Sequence, residues 1–377
     1  MEPSVNRRRR RGGRGARGGR DRRDENAAAT PSSTGWEKAG QIQQHIDLDP
    51  GRWTEEDEGW SAWAHRDMTP AAYKCGPCLG QGGSAIVYKV CRVEDGKVLA
   101  GKVPRGEGSG RLEAEARLIR PLDHPNVLKL VAWHEDSALL VTEFCAYDTL
   151  QTRIDSGWLS AGRVEMVSAM QQLCSAVAYL HGQGLFHTDV KPRNVLVRGL
   201  KPLDLVLGDC GDALPIGGKD DRLRGTLSFY SPEMWKYAKH HGPSDDVWAL
   251  GLTLLSMMQQ LPRLRDSGDD HDKDDDEDDD RGLPRKQRRK KAQQKAEEEI
   301  KRFPGRCSKH AGDLRSMNPG DGLVLLAESM LAMDCGHRVS AVEAEKEAAR
   351  LLAEGPWDGG PGLQIKAPEN FQPVSFW

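Results

Sequence analysis

A chain of 377 residues, 37% of them hydrophobic, is long enough for one large two-lobed domain or two small ones. Its formal charge of −3 averages over strongly segregated blocks, so the net value excludes no class of partner. No apolar run reaches spanning length; the longest, Val247–Met258, is broken by Gly251, Thr253 and Ser256 and reads as a buried helix, so no membrane partner is expected. The N-terminus lacks the apolar core of a secretory signal, and Glu2, Asp21 and Asp24 argue against a transit peptide. Eight cysteines without a small-scaffold pattern suit reduced thiols, and an intracellular protein, nuclear or cytoplasmic, is expected.

Residues 1–34 form an Arg/Gly-rich tail in which Arg7–Arg11, Arg14, Arg17, Arg20, Arg22 and Arg23 stand among glycines. Such a composition cannot bury a core and predicts disorder. It suits a nuclear-import signal, a nucleic-acid arm, a tether to an acidic surface, or simply a solvated tail. No aromatic side chains are interleaved, so base stacking gains no support. The flank 35–72 carries Trp36, Trp53, Trp60 and Trp63 among acidic residues and is expected to pack on the domain that follows.

From Tyr73 to Lys89 the pattern is Gly80-x-Gly82-x-x-Ala85-x-Val87, with short apolar segments on either side. Residues with little side chain let backbone N–H groups close over phosphates. Ile86, Val87 and Val90 predict a strand after the glycines, whereas a dinucleotide fingerprint needs a helix there. Cys75-Gly-Pro-Cys78 has the spacing of a redox pair, but that chemistry needs its first Cys at a helix N-terminus, and zinc would need a second ligand pair. Val98–Lys102 reads as a strand delivering a lysine 22 residues after Gly80. A helix over Leu112–Arg120 carries Glu113 and Glu115 and leads to the turn His124–Pro125–Asn126. Ala138–Cys145 reads as a buried strand. Val164, Val167, Leu173, Val177 and Leu180 recur at helical spacing, with Gly182 and Gly184 as stop signals.

That helix delivers His187–Thr188–Asp189–Val190–Lys191–Pro192–Arg193–Asn194–Val195–Leu196, which places Asp, Lys and Asn at i, i+2 and i+5. The set suits phosphoryl transfer: a carboxylate accepts the hydroxyl proton, an ammonium neutralises the moving charge, and an amide oxygen helps hold a metal. Twenty residues beyond Asp189, Leu205–Val206–Leu207 leads to Asp209–Cys210–Gly211, a carboxylate between a strand and a glycine. That placement suits a magnesium ion bridging phosphates.

Taken jointly, these stretches resemble the eukaryotic-type Ser/Thr protein-kinase family over about Tyr73–Leu352. The resemblance implies an α+β, two-lobed protein-kinase-like fold with a β-rich N-lobe and a helical C-lobe. It implies ATP and Mg2+ as cofactors and a protein substrate, because Gly225–Glu233 resembles the end of a kinase activation segment. Catalytic roles would fall to Asp189 as base, Lys191, Asn194, and Lys102 oriented by Glu115, with Asn194 and Asp209 as metal ligands. Leu79, Gly80, Gln81, Gly82, Gly83, Val87 and Ala100 would line the nucleotide. Thr142 would be the gatekeeper, backbone groups of Glu143 and Cys145 would meet adenine, and Asp148 would stand near ribose. Lys191 and Thr226 imply Ser/Thr specificity, and Glu233 would pair with Arg338. The loop His187–Thr188–Asp189 is also similar to that in kinases of SR splicing factors.

Three residues depart from the family pattern: Ala85 for a glycine, Thr188 for an arginine and Cys210 for a phenylalanine. They motivate the alternative of a pseudokinase scaffold, although none removes a catalytic group. From Gly211 to Gly225 there is no Ser, Thr or Tyr, so activity is expected not to depend on phosphorylation there. A charged insert at about 264–302 holds eleven acidic residues in Asp266–Asp280, then the basic Arg285–Lys291, with a helix expected over Lys290–Arg302. The acidic run would suit an Arg-rich substrate or the chain's own Arg7–Arg23, and the basic run is a second candidate import signal. A helix is expected over Asp321–Met333, and residues 353–377 are a Pro/Gly-rich tail.

Overall fold

The computed structural model describes residues 72–105, 109–157, 162–218, 223–240, 242–262 and 285–355. The Arg/Gly tail, the Trp-rich flank, the acidic run and nearly all of the C-terminal tail lie outside them.

The chain opens with a five-stranded antiparallel sheet in the order β1-β2-β3-β5-β4. Its strands are β1 (Tyr73–Gln81), β2 (Ala85–Arg92), β3 (Val98–Pro104), β4 (Leu130–His134) and β5 (Leu139–Glu143). β-Branched and aromatic residues at alternate positions explain the pairing, because successive side chains leave opposite faces of a strand. In β3, Leu99, Gly101 and Val103 are buried on one face. That face packs on Tyr73, Tyr88, Val90, Leu139 and Val141. Ala100 and Lys102 leave the other face, as the period of two requires. Gly101 is needed for this packing: a Cβ there would stand 2.9 Å from Val90 Cγ1 and 3.1 Å from Leu139 Cδ1.

Helix α1 (Ser109–Ile119) crosses the sheet and buries Leu112, Glu115, Ala116 and Ile119. The remainder of the described chain is mainly helical. α2 (Leu150–Asp155) is capped by Thr149, whose hydroxyl accepts the Thr152 N–H. α3 (Arg163–Gly182) has buried residues from Met166 to Leu180. Val164, expected on its core stripe, is instead 51% exposed. It stands in the first turn, before the stretch of the helix that is enclosed by its neighbours.

The short pair β6 (Leu185–Phe186) and β9 (Leu214–Pro215) and the hairpin β7 (Val195–Leu200) and β8 (Leu203–Leu207) follow α3. α4 (Pro232–Tyr237) leads to α5 (Pro243–Met257), in which both apolar and polar faces are buried and Trp248 is wholly enclosed. A helix hydrophobic all round is a core helix, as its sequence predicts. α6 (Arg285–Met317) is longer than the helix expected over Lys290–Arg302. Its second half buries Phe303, Cys307, Ala311 and Leu314 at helical spacing, which a charged composition and Pro304 obscure. α7 (Gly322–Met330), capped by Asp321, and α8 (Ala341–Ala353), opened by a Ser340–Glu343 capping box, close the bundle. No described helix is long and apolar enough to cross a membrane.

Candidate active site

The alternation in β3 aims Lys102 away from the sheet core, and the period of α1 brings Glu115 round to meet it. Lys102 Nζ donates to Glu115 Oε1 at 3.0 Å and Oε2 at 2.9 Å, and to Asp209 Oδ1 at 2.7 Å. Burial alone would lower the Lys102 pKa, but Asp209 and Glu115 outweigh it and hold the ammonium above its ordinary value. Asp209 feels the converse: burial would raise its carboxyl, and the Lys102 charge brings it below the ordinary range. For Glu115 burial wins, and its pKa is raised despite the same lysine.

Asp209 follows β8 with φ 58 and ψ 55, a left-handed conformation that turns its carboxylate back toward Lys102. The preceding Gly208 N–H donates to Asn194 O at 2.8 Å, which ties Asp209 to the catalytic-loop candidate. A Cβ at Gly211 would come within 3.0 Å of Glu115 Oε2, so glycine lets this turn seat against α1.

Within that loop, Asp189 is a hub. Asn194 Nδ2 donates to Asp189 O at 2.7 Å and Oδ2 at 2.9 Å, and Lys191 Nζ donates to Oδ2 at 2.7 Å. Thr226 Oγ1 donates to Asp189 Oδ1 at 2.8 Å and accepts from Lys191 Nζ at 2.6 Å. Asp189 and Asn194 are both buried. His187 Nε2 donates to Gly208 O at 2.9 Å while Nδ1 accepts the Asp189 N–H at 3.3 Å, so the buried ring serves as a strut.

The loop itself is hung from α5. Asp246 Oδ2 accepts the His187 N–H at 2.7 Å and its Oδ1 accepts the Thr188 N–H at 2.8 Å. Asp246 Oδ2 also meets His181 Nε2 at 3.0 Å. These contacts hold Thr188 at φ 69, a left-handed conformation that a β-branched residue adopts only under restraint. The sequence marks Asp246 only as the start of a helix, because its backbone N–H partners carry no residue signature and His181, 65 residues away, belongs to no shared motif.

The glycine-rich turn joins β1 to β2: Leu79, Gly80 and Gln81 lie in β1, Gly82 and Gly83 in the turn and Val87 in β2. A Cβ at Gly80 or Gly83 would meet no protein atom within 4 Å, so internal packing does not account for these glycines. Ala85 is buried, and its carbonyl accepts the Gly82 N–H at 2.8 Å. Cys75 and Cys78 lie on this strand, not at a helix N-terminus, and are not joined by a disulfide. Cys210, next to Asp209, is buried and so shielded from solvent-borne modification.

Ala100 pairs with Thr142, and Leu99 with Glu143 where β5 ends. Glu143 N donates to Lys129 O at 3.1 Å and its Oε1 accepts the Lys129 N–H at 3.0 Å. Its Oε2 accepts from Arg198 Nη1 at 3.0 Å; Arg198 lies on β7 and also grips Asp204 through Nε at 2.7 Å and Nη2 at 2.9 Å. Among the described residues the Cys145 N–H has no hydrogen-bond partner, and burial pushes the Cys145 thiol up to about 12. Asp148, at φ 67, accepts the Thr149 N–H through Oδ1 at 2.8 Å. Glu233 and Arg338 pair as the sequence suggests, Arg338 Nη2 meeting Glu233 Oε2 at 3.0 Å. A lysine held by a glutamate and a strand-end aspartate is thus tied, through the Gly208 N–H and Asn194 O, to the Asp–Lys–Asn loop.

The protein kinase domain family model matches residues 73–348. The chain belongs to the protein kinase family. It is similar to the serine/threonine-protein kinase ULK3 of Xenopus laevis, 32% identical over 186 residues, covering 47% of this chain and 39% of that protein. CBL-interacting protein kinase 12 of Oryza sativa subsp. japonica is 30% identical over 197 residues, with 49% of this chain and 36% of that protein covered. The chain spans about two-fifths of the length of the curated relatives it matches. The crystal structure of Rad53 1-466 in complex with AMP-PNP has the same fold: the TM-score is 0.55 at 22% identity, covering 73% of this chain and 64% of that one.

The donor set around Asp209 suits a hard cation. Asn194 spends its amide N–H groups on Asp189, so its oxygen is the group left for another partner. One carboxylate and one amide oxygen are the few protein ligands that magnesium takes when phosphates and water supply the others. Among the described residues no cluster of three or more His, Cys, Asp or Glu competes as a metal site.

Proposed function

We propose that this kinase-family chain is an active serine/threonine kinase that transfers the γ-phosphate of ATP to protein hydroxyls. The observation that carries the proposal is the coexistence of the Lys102–Glu115–Asp209 contacts with the Asp189–Lys191–Asn194–Thr226 network. In protein kinases the strand lysine–helix glutamate pair and the metal-binding aspartate must both be in place, with a separate loop aspartate to accept the hydroxyl proton.

In this reading Lys102 binds the α- and β-phosphates, and Glu115 keeps its ammonium aimed. Asp189 accepts the proton of the incoming hydroxyl, its plane fixed by Asn194 and Thr226. Lys191 neutralises charge on the transferring group. When bound, Mg2+ held by Asn194 and Asp209 would neutralise the phosphates. The glycines at 80, 82 and 83 leave room for backbone to approach phosphate, flanked by Leu79, Gln81, Val87 and Ala100. Backbone groups of Glu143 and Cys145 suit adenine, with Asp148 beyond them for ribose.

Three finer proposals accompany this one. Activity does not depend on phosphorylation between Gly211 and Gly225, which contains no acceptor hydroxyl. Arg-rich proteins are favoured substrates, drawn by Asp266–Asp280; loss of activity with salt, and with deletion of that run, tests the idea. A nuclear location is supported by Arg7–Arg23 and by Arg285–Lys291, and deleting each cluster in a fluorescent fusion tests it.

The central test is phosphate transfer from Mg-ATP to myelin basic protein by the full chain and by Asp189→Asn. Incorporation that disappears in the variant is expected. Equal negligible incorporation in both across several basic substrates, with ATP binding retained, would replace catalysis with a scaffold role.

A further inference from the structure

Asp212 lies just past the Asp209–Cys210–Gly211 turn and collects contacts from three segments. Its Oδ1 accepts from Arg111 Nη2 on α1. Arg224 Nη1 lies 3.9 Å from the same oxygen. Its backbone carbonyl accepts from Thr188 Oγ1 at 3.0 Å. Each partner adjoins a working group. Arg111 precedes Glu115 by four residues, one helical turn, so it shares the face that presents Glu115 to Lys102. Thr188 immediately precedes Asp189. Arg224 precedes Gly225, whose left-handed backbone (φ +87) passes so close to the loop that a Cβ would stand 2.5 Å from Thr188 O. Thr226, the next residue, bonds Asp189.

Two cations from separate segments therefore converge on one carboxylate, whose side chain is only 24% exposed. We propose that Asp212 is a positioning residue that supplies, as a permanent charge, the anion around which α1 and the Arg224–Thr226 segment assemble on the catalytic loop. This rests on the kinase reading above and supplies a mechanism for independence from loop phosphorylation: the anion is written into the chain. Thr188 takes part through its hydroxyl, which joins the loop to the Asp212 backbone without a charge of its own.

The test compares the full chain, produced in bacteria and treated with phosphatase, with Asp212→Asn, Asp212→Glu and Arg111→Gln. Phosphate transfer to myelin basic protein is measured with hydrogen exchange of all four chains. Asp212→Asn is expected to lower kcat roughly tenfold, the effect of losing two partly exposed charge contacts, with thermal midpoint nearly unchanged. Amides of 109–119 and 223–226 are expected to exchange faster, and Asp212→Glu to restore most of both. Raising salt should lower the wild type toward Asp212→Asn and leave that variant little changed. Unaltered kcat and exchange in Asp212→Asn would overturn the proposal. So would a loss that accompanies general destabilisation and is not rescued by glutamate. A wild type no more active than Asp189→Asn would remove the kinase reading instead, while the exchange comparison would still decide whether Asp212 holds the two segments together.

Discussion

Arg338 offers a sharp test of what holds the C-lobe together. Its side chain has no solvent exposure and Glu233 has 6%. It donates to Glu233 Oε2 at 3.0 Å, to Ser244 O at 2.8 Å and to Ala332 O at 3.0 Å, and its guanidinium lies 5.1 Å from the Trp248 ring centroid. Arg338→Met would keep much of the volume but leave the Glu233 carboxylate and two carbonyls without their donor. Breaking one side of a buried pair costs about 3–5 kcal/mol, because the remaining charge stays desolvated. For a domain of this size that lowers the thermal midpoint by roughly 6–20 °C. Glu233→Leu combined with Arg338→Met removes both charges and should cost clearly less than the two single changes added together. Circular-dichroism melts of the three variants and the wild type give the cycle. A midpoint within about 2 °C of wild type for Arg338→Met, or strict additivity in the double variant, would refute the reasoning.

Gly225→Ala forces a methyl against Thr188 O and a left-handed alanine, so kcat should fall at least about tenfold in steady-state assays while the chain remains folded. Asp209→Asn addresses pH. The Asp209 pKa is lowered in the folded chain, so its contribution to stability is present above the ordinary aspartate range and is lost as pH falls through the folded value. Melts of wild type and Asp209→Asn should therefore differ at pH 7 and converge on acidification below that range. Glu115 is raised chiefly by burial and in part by the Asp209 charge, so its opposite contribution is smaller in Asp209→Asn. Arg198→Ala releases Glu143 at the end of β5, and should raise the KM for ATP roughly threefold to fivefold with kcat nearly constant, read from initial rates.

Side chains that meet side chains were the legible part of this site. Lys102 and Glu115 could be paired from the kinase resemblance and the register of the helix against the His124–Pro125–Asn126 turn that follows it, and Glu233 with Arg338 from flanking motifs. Asp246 could not, because two of its partners are backbone amides, which every residue carries, and its side-chain partner His181 lies 65 residues away. Asp212 and Arg198 were illegible for another reason. Arg111 and Asp212 are 101 residues apart, as are no two members of a local motif, and only folding brings α1 against the turn after Asp209. In the fold, apolar periodicity located α3 and α5, but it could not tell that Val164 stands before the enclosed part of its helix. The core stripe of α6 was present as Phe303, Cys307, Ala311 and Leu314. Charge on the other positions and a proline inside the helix hid it.

The grip of Arg198 on Glu143 has a mechanical consequence. At the edge of the sheet, the covalent chain after Glu143 is accompanied by a guanidinium that also holds Asp204 and Pro125 O, in addition to the Lys102–Asp209 and Arg111–Asp212 contacts deeper in. A panel hung from one pin can swing and twist; one hung from two can only swing. A second attachment beside the covalent link opposes twisting between the sheet and the helical bundle, which would carry Lys102 sideways past Asp189.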